Sequence, residues 1–503
     1  MNRTKIYFYN SSTAAFYQLI LVITGFILPR VMLEYYGSEI NGLVSSINQF
    51  IVYFNLVEAG LSSAVIYTLY RPLADKNYKA INAIVVAAKK FYTLSGYIFI
   101  SLTLGLSLIY PLHIKLDSLS PLSVGLLILI LGVNGALEFF TLAKYRVILT
   151  ADQKTYVVSL ASIVNIVVST LIITSLAMHQ VSIVIIYFVA LLSIFLRSFI
   201  LMGYVKLKYK YLDYNEKPNF SALNKRWDAL YLQVLGAIHK GAPIVILTIV
   251  TGNLKLVSVY TIFNIVITGI NGLSSIFISG LSASFGDIIA RKEEQKLQKV
   301  YSEFEFIYYC LITIIYAVAF ITIMPFIKIY TSGINDINYY LPFIGFLFVL
   351  NDLLYNIKTP QGMLVISAGM FKETKLQTTI QGAIAVILGI ILTPHFGIVG
   401  VLLGSILSNL YRDIDLMFFI PKKLTKLPVK QTAYRIIRIF TTISIIYLPF
   451  VFIKINPVSY ASWFSFAFII FIFAVLIVLI ISLIFERVYV MSSVNRIISI
   501  LKR

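Results

Sequence analysis

The residues of this 503-residue chain that could do chemistry are few, and several stand where charge is expensive. Lys240 follows His239 and precedes Gly241 and Pro243 in the middle of an apolar run. Arg30 follows Pro29 near the end of another, and Arg197 and Arg412 fall inside two more. Three acids, Glu58, Glu138 and Asp352, also sit within apolar stretches. A charge in hydrocarbon must pair, reach water or serve a ligand, because the unpaired state is prohibitively costly. The cations could hold an anion in a water-filled cavity. The carboxylates could bind a proton or sodium ion, since low dielectric raises their proton affinity. Each residue also has a plainer use. Lys240 could snorkel or pair with an acid, Arg30 could anchor its helix among headgroups, and Arg197 and Arg412 could serve packing. The acids could pair with Lys240, Arg197 or Arg412, and Glu58 could set helix packing.

Other chemistries find no residues. His179, His239 and His395 are scattered without metal-ligand spacing, and the single cysteine, Cys310, allows neither a disulfide nor a cysteine metal site. There is no phosphate-loop lysine motif, no H-E-x-x-H and no nucleophile elbow, so neither a metal nor an organic cofactor is expected. Coupling to H+ or Na+ is the exception the buried acids leave open. Asn48, Asn264 and Asn271 could bond sugar hydroxyls or pin helices together. Gly397, Gly400 and Gly404 read as sites of close helix approach.

The elements that must carry these groups are membrane helices. Hydrophobic residues make up 59% and charged residues 12% of the chain, against roughly a quarter charged in soluble domains. Apolar runs fall near 10–30, 39–64, 87–111, 120–144, 156–178, 181–203, 228–250, 255–284, 304–330, 338–358, 377–394, 396–418, 434–453 and 460–484. Each is long enough to cross hydrocarbon, which takes ~20 residues. The expected fold is all-α, a polytopic membrane protein of about fourteen transmembrane helices. The net charge of +20 then reflects loops facing anionic lipid rather than nucleic acid. Arg30, Lys115, Lys255, Lys328 and Lys454 lie on one set of loops and nearly all other Lys and Arg on the opposite set, which predicts both termini in the cytoplasm. The tail, with Arg487, Arg496, Lys502 and Arg503, reads as an amphipathic helix on the inner leaflet.

The sequence also repeats. Ser193, Arg197, Leu201 and Met202 recur at one common offset as Ser408, Arg412, Leu416 and Met417, with His179 and His395, Pro29 and Pro243, and Asn134 and Asn351 close to the same register. Six spans per repeat is an even number, so the halves share one topology and a pseudo-two-fold axis along the membrane normal. The organisation is a six-helix bundle over 1–206, a basic cytoplasmic linker over 207–227, a second bundle over 228–420, an extra helix pair over 421–485 and a cytoplasmic tail over 486–503. Paired bundles of this kind enclose a cavity that rocks open to either side, as a transporter requires.

The turn Tyr36-Gly37, Asn41-Gly42-Leu43, the run Phe54-Asn55-Leu56-Val57-Glu58-Ala59-Gly60-Leu61 and the segment Tyr70-Arg71-Pro72-Leu73-Ala74-Asp75-Lys76 resemble bacterial oligosaccharide-lipid flippases. These belong to the polysaccharide-transport branch of the multidrug, oligosaccharidyl-lipid and polysaccharide exporter superfamily. The resemblance covers nearly the whole chain. It implies a bacterial plasma-membrane protein that moves an undecaprenyl-diphosphate-linked oligosaccharide between leaflets, with membrane lipid around it and polysaccharide-assembly enzymes as prospective partners. Lys240, His239, Arg30, Arg197 and Arg412 would then meet the diphosphate, and Glu58, Glu138 and Asp352 would carry any coupled ion. A flippase of lipid-linked peptidoglycan precursor and a cation-coupled multidrug exporter share the layout. The short outer loops disfavour a membrane polymerase or ligase.

Overall fold

The computed structural model describes residues 3–114, 116–220, 226–278, 281–453 and 456–492. Those residues form helices α1 (Arg3–Phe54), α2 (Leu61–Ala74), α3 (Tyr78–His113), α4 (Pro121–Leu137), α5 (Ala143–Ala151), α6 (Thr155–Met178), α7 (Ile183–Ala190), α8 (Ser193–Lys208) and α9 (Arg226–Ile246). The series continues with α10 (Leu254–Ile278), α11 (Leu281–Ala290), α12 (Glu294–Tyr330), α13 (Pro342–Ile357), α14 (Thr359–Ser367), α15 (Phe371–Phe396), α16 (Ile398–Ile420), α17 (Val429–Phe452) and α18 (Tyr460–Phe485). Among the described residues, 10 helices are long and apolar enough to cross a membrane. The protein is an all-α polytopic membrane protein.

Helix ends follow local chemistry. Asn77 caps α3 by accepting from the Ala80 N–H at 3.0 Å, and Ser120 caps α4 ahead of Pro121, whose missing N–H is harmless in a first turn. Ser459 and Ser462 form a reciprocal capping box at the start of α18. Several helices outrun the apolar segments expected from sequence. The helix α3 begins at Tyr78 rather than 87, and α12 at Glu294 rather than 304, because their amphipathic first turns continue the helix beyond the apolar run. The first two spans are fused in α1, which breaks only at Gly37, where φ of 77° and ψ of 177° are non-helical.

The internal repeat is visible in element lengths. The helices α3, α4, α5 and α6 have 36, 17, 9 and 24 residues, and α12, α13, α14 and α15 have 37, 16, 9 and 26. Close approach of α15 and α16 rests on glycine: a Cβ on Gly400 would lie 2.5 Å from the Leu392 carbonyl carbon and 2.6 Å from the Thr393 nitrogen.

The chain forms two compact units, Met1–Thr261 and Ile262–Arg503. This boundary of compactness falls within α10, downstream of the sequence-repeat boundary. In the first unit α1 packs on α6 and α9, and α3 on α4. Its core gathers Leu61, Val65, Tyr92, Phe99, Phe139 and Leu149. In the second, α15 packs on α16, and α12 on α13, α17 and α18. The linker after α8 folds back onto its own unit. Asn82 donates to the Tyr211 carbonyl at 3.0 Å, the Tyr211 ring packs at a tilt against Tyr78 with centroids 4.3 Å apart, and Tyr209 donates to Asp152 at 2.6 Å. Burial pushes the Tyr211 phenol up to about 12.

Candidate functional site

The first unit concentrates charge where its helices are irregular. Between α1 and α2 the backbone passes through a 3-10 turn, Asn55–Glu58, and then Gly60, whose φ of 77° is a left-handed conformation that glycine adopts without strain. Between α4 and α5 it widens into a π turn, Glu138–Leu142. Glu58 and Glu138 are thus both delivered by local departures from the α-helix, where freed backbone groups need a polar or wet lining.

Arg146 joins the two acids. One guanidinium nitrogen donates to Glu138 Oε1 at 2.8 Å and the other to Glu58 Oε1. Ser62 also donates to Glu58, at 2.5 Å, and shares a 2.8 Å hydrogen bond with the Tyr92 hydroxyl. From α8, Arg197 brings Nη2 to 3.5 Å from Glu138 Oε1, while its buried Nε has no hydrogen-bond partner among the described residues. Asn55, Glu58, Ser62, Glu138, Phe139 and Arg146 line a cavity of about 330 Å³. Two acids against two arginines make the cluster neutral, yet it keeps a donor in reserve. An incoming phosphate oxygen can take guanidinium hydrogen bonds in charge-assisted geometry while the displaced carboxylate accepts a proton.

The expected pairings of the acids are corrected by this geometry. Glu138 does meet Arg197, but its nearer partner is Arg146, and Glu58 pairs with Arg146 rather than with Lys240, Arg197 or Arg412. In sequence Arg146 lies beyond the end of the apolar run and reads as a loop cation. In an unbroken α-helix, residues eight apart are turned about 80° from one another. The π turn absorbs one residue and brings Glu138 and Arg146 onto one face, so the only sequence signal was a spacing one residue too long.

The other nominated residues are dispersed. Lys240 is exposed on α9, and the side chain of His239 lies outside the described residues. Arg30 forms a 3.4 Å pair with Glu34 one turn along its own helix. Arg412 closes on Asp415 at 2.5 Å, also within its own helix. Asp352 pairs with none of the expected cations. Its Oδ1 accepts from Asn271 at 2.8 Å and its Oδ2 from the Tyr316 hydroxyl at 2.7 Å, with Asn356 donating to Asn271 at 3.0 Å. Asn271 is therefore tied into a buried polar network. The part of the tail beyond residue 492 lies outside the described residues.

A second cationic feature of the first unit escaped the sequence reading. Lys89 and Lys144 stand over the same Tyr214 ring, 5.2 and 5.6 Å from its centroid, and Lys144 is 5.0 Å from that of Tyr145. Neither lysine has a carboxylate within ion-pair distance among the described residues. In the second unit Arg435 joins Glu305 and Glu486, each at 2.8 Å, and Arg438 also reaches Glu486. Beside this group α17 and α18 border a groove of about 680 Å³ that includes Tyr434, Ile437, Ile445, Ile481 and Phe485.

No family model matches the sequence, and no curated protein matches it. Solved structures do. A lipid II flippase, MurJ, in an inward closed conformation superposes with a TM-score of 0.72 at 17% identity, over 96% of this chain and 99% of that one. An inward-facing multidrug resistance MATE transporter of the MOP superfamily gives 0.63 at 15% identity, over 84% of this chain and 95% of that one. A MATE protein in the bent conformation gives 0.53 at 16% identity, over 85% and 94%. The chain has the fold of these transporters.

Proposed function

We propose that the chain is a bacterial plasma-membrane transporter that moves an undecaprenyl-diphosphate-linked oligosaccharide from the inner to the outer leaflet by alternating access, with both termini cytoplasmic. The observation that carries this reading is the extent of the shared fold. The lipid II flippase is matched over 96% of this chain, and the inward-facing MATE transporter over 84%. A lipid-linked diphosphate asks for two things, cations for the phosphates and an apolar track for the polyprenyl chain. Arg146 and Arg197 supply guanidinium donors, and the two ammonium groups over Tyr214 supply unpaired charge near the basic linker. The groove between α17 and α18 supplies the apolar track. Polysaccharide-assembly enzymes are prospective partners in this role.

The second reading, a flippase of lipid-linked peptidoglycan precursor, has the same structural likeness in its favour. The test is transbilayer movement of fluorescent lipids in liposomes holding the purified protein, with an undecaprenyl-diphosphate oligosaccharide in one arm and lipid II in the other. The oligosaccharide lipid should move, and Lys240→Ala should slow it if the exposed lysine meets the diphosphate. Equal rates would remove Lys240 from the site and leave the reading standing. Movement of lipid II alone would transfer the reading to the second substrate. Movement of neither, with export of cationic dyes, would end both.

A further inference from the structure

The second unit holds a buried set of charges that binding a lipid diphosphate does not use. Asp352 near the end of α13 and Lys358 at the break before α14 share this region with Asp413 of α16, and α13 packs on α16. Lys358 is the neighbouring charge of both acids, and its ammonium group donates to Asn409 Oδ1 at 2.6 Å. Asp352 is 4% exposed with a donor on each oxygen, as described above. Asp413 is 9% exposed, and neither of its carboxylate oxygens accepts a hydrogen bond from the described residues.

The surrounding ionisable groups on the packed elements are engaged elsewhere. On α16, Arg412 closes on Asp415 at 2.5 Å. On α12, Glu305 is held by Arg435 at 2.8 Å, and the Tyr309 hydroxyl donates to the Ile357 carbonyl at 3.0 Å. Two acids against Lys358 therefore leave one uncompensated negative charge in a buried region, which low dielectric penalises. One proton balances it. Hydrogen bonds donated to a carboxylate favour its ionised form, so the two donors on Asp352 keep the charge there, and Asp413, with none, is the acid that takes the proton. A metal cation fits poorly, because a hard ion needs several oxygen ligands and Lys358 repels it.

We propose that Asp413 is a proton-exchange site of the second unit, neutral while buried beside Lys358 and able to ionise when water reaches it. Its use as the coupling site of the transport cycle rests on the transporter reading above, but proton binding itself does not. The test therefore needs no substrate: pH-difference infrared spectra of the purified full-length protein, which report the C=O stretch of a protonated carboxyl group. Wild type should show such a band that titrates, Asp413→Asn should lose it, and Asp352→Asn should keep it. A band unchanged in Asp413→Asn would overturn the proposal, as would a sodium-dependent thermal stabilisation that disappears in that variant. If Asp413→Asn does not fold, Lys358→Met serves instead. Removing the ammonium must carry the band to higher pH, and an unmoved titration would refute the site while leaving the flippase reading intact.

Discussion

In the first unit Arg146 and Arg197 meet Glu58 and Glu138; in the second, Arg435 and Arg438 meet Glu305 and Glu486. The residue types and the net charge are the same, but the environments differ. Arg435 and Glu305 are 2% and 1% exposed, and Glu305 is saturated: Oε1 accepts from Tyr301, Gln361 and Thr432 at 2.9, 3.0 and 3.0 Å, and Oε2 from Arg435 at 2.8 Å. Arg146 and Glu58 are 27% and 16% exposed, border a cavity of about 330 Å³, and have in Arg197 a neighbour with an idle buried donor. The Arg435–Glu305 pair, held by four hydrogen bonds to the carboxylate and almost fully buried, is the harder of the two for a ligand to displace. The difference is one of satisfaction and exposure rather than of space, because Arg435, Arg438 and Glu486 also border the groove of about 680 Å³.

The largest expected effect tests the saturated cluster. Arg435→Met leaves Glu305 charged among groups built around a cation, and stripping one partner from a buried pair typically costs about 3–5 kcal/mol. Unfolding of the purified protein in detergent should show a loss of that size, while the molecules that remain folded keep the wild-type apparent affinity for the diphosphate. Transport lost without loss of stability would break the comparison, since the second-unit cluster would then be part of the working site.

Arg146→Met is next. Its pairs are partly exposed, so the expected stability loss is smaller, about 1–3 kcal/mol, with solvent screening the orphaned acids. The larger consequence is for anion binding, because the group bridging Glu58 and Glu138 is gone. Adding Glu58→Gln should recover part of the stability by removing one of the orphaned charges, but none of the transport. Recovery of both would mean that Arg146 serves only to neutralise the acids.

How much of this was readable beforehand follows from what is local in sequence. Membrane spans announce themselves as apolar runs, and the repeat appears both as Arg197 with Arg412 and as paired helix lengths. Helix ends are less legible, because amphipathic turns at Tyr78 and Glu294 extend past the apolar runs. Partnerships were missed for two further reasons. Arg146 and Glu138 share a face only through a π turn that spacing alone argues against. Arg435 and Glu305 are 130 residues apart, and one had been counted with the loop cations. The bare carboxylate of Asp413 had no signal at all, since a missing hydrogen bond is a property of packing. Glu58, Glu138 and Asp352 stand out in sequence as acids in apolar runs, but which group compensates each depends on tertiary structure.

The smallest effect sharpens the comparison most, because the repeat supplies its own control. Arg197 and Arg412 occupy matching repeat positions, but Arg197 reaches from α8 to Glu138 at 3.5 Å, whereas Arg412 turns onto Asp415 of its own helix at 2.5 Å. An intrahelical pair of this kind contributes about 0.3–0.5 kcal/mol when exposed and somewhat more when buried. Arg412→Gln should therefore lower stability by about 1 kcal/mol and leave the apparent affinity for the lipid diphosphate unchanged. Arg197→Gln should cost no more in stability, since its ion pair is long, but should weaken that affinity severalfold by removing the guanidinium that reaches Glu138 and carries the unused Nε donor. Parallel melting curves and concentration-dependent flipping rates for the two variants decide the matter. If both variants behave as Arg412→Gln is expected to, the repeat has conserved a packing arginine twice and the binding cation lies elsewhere.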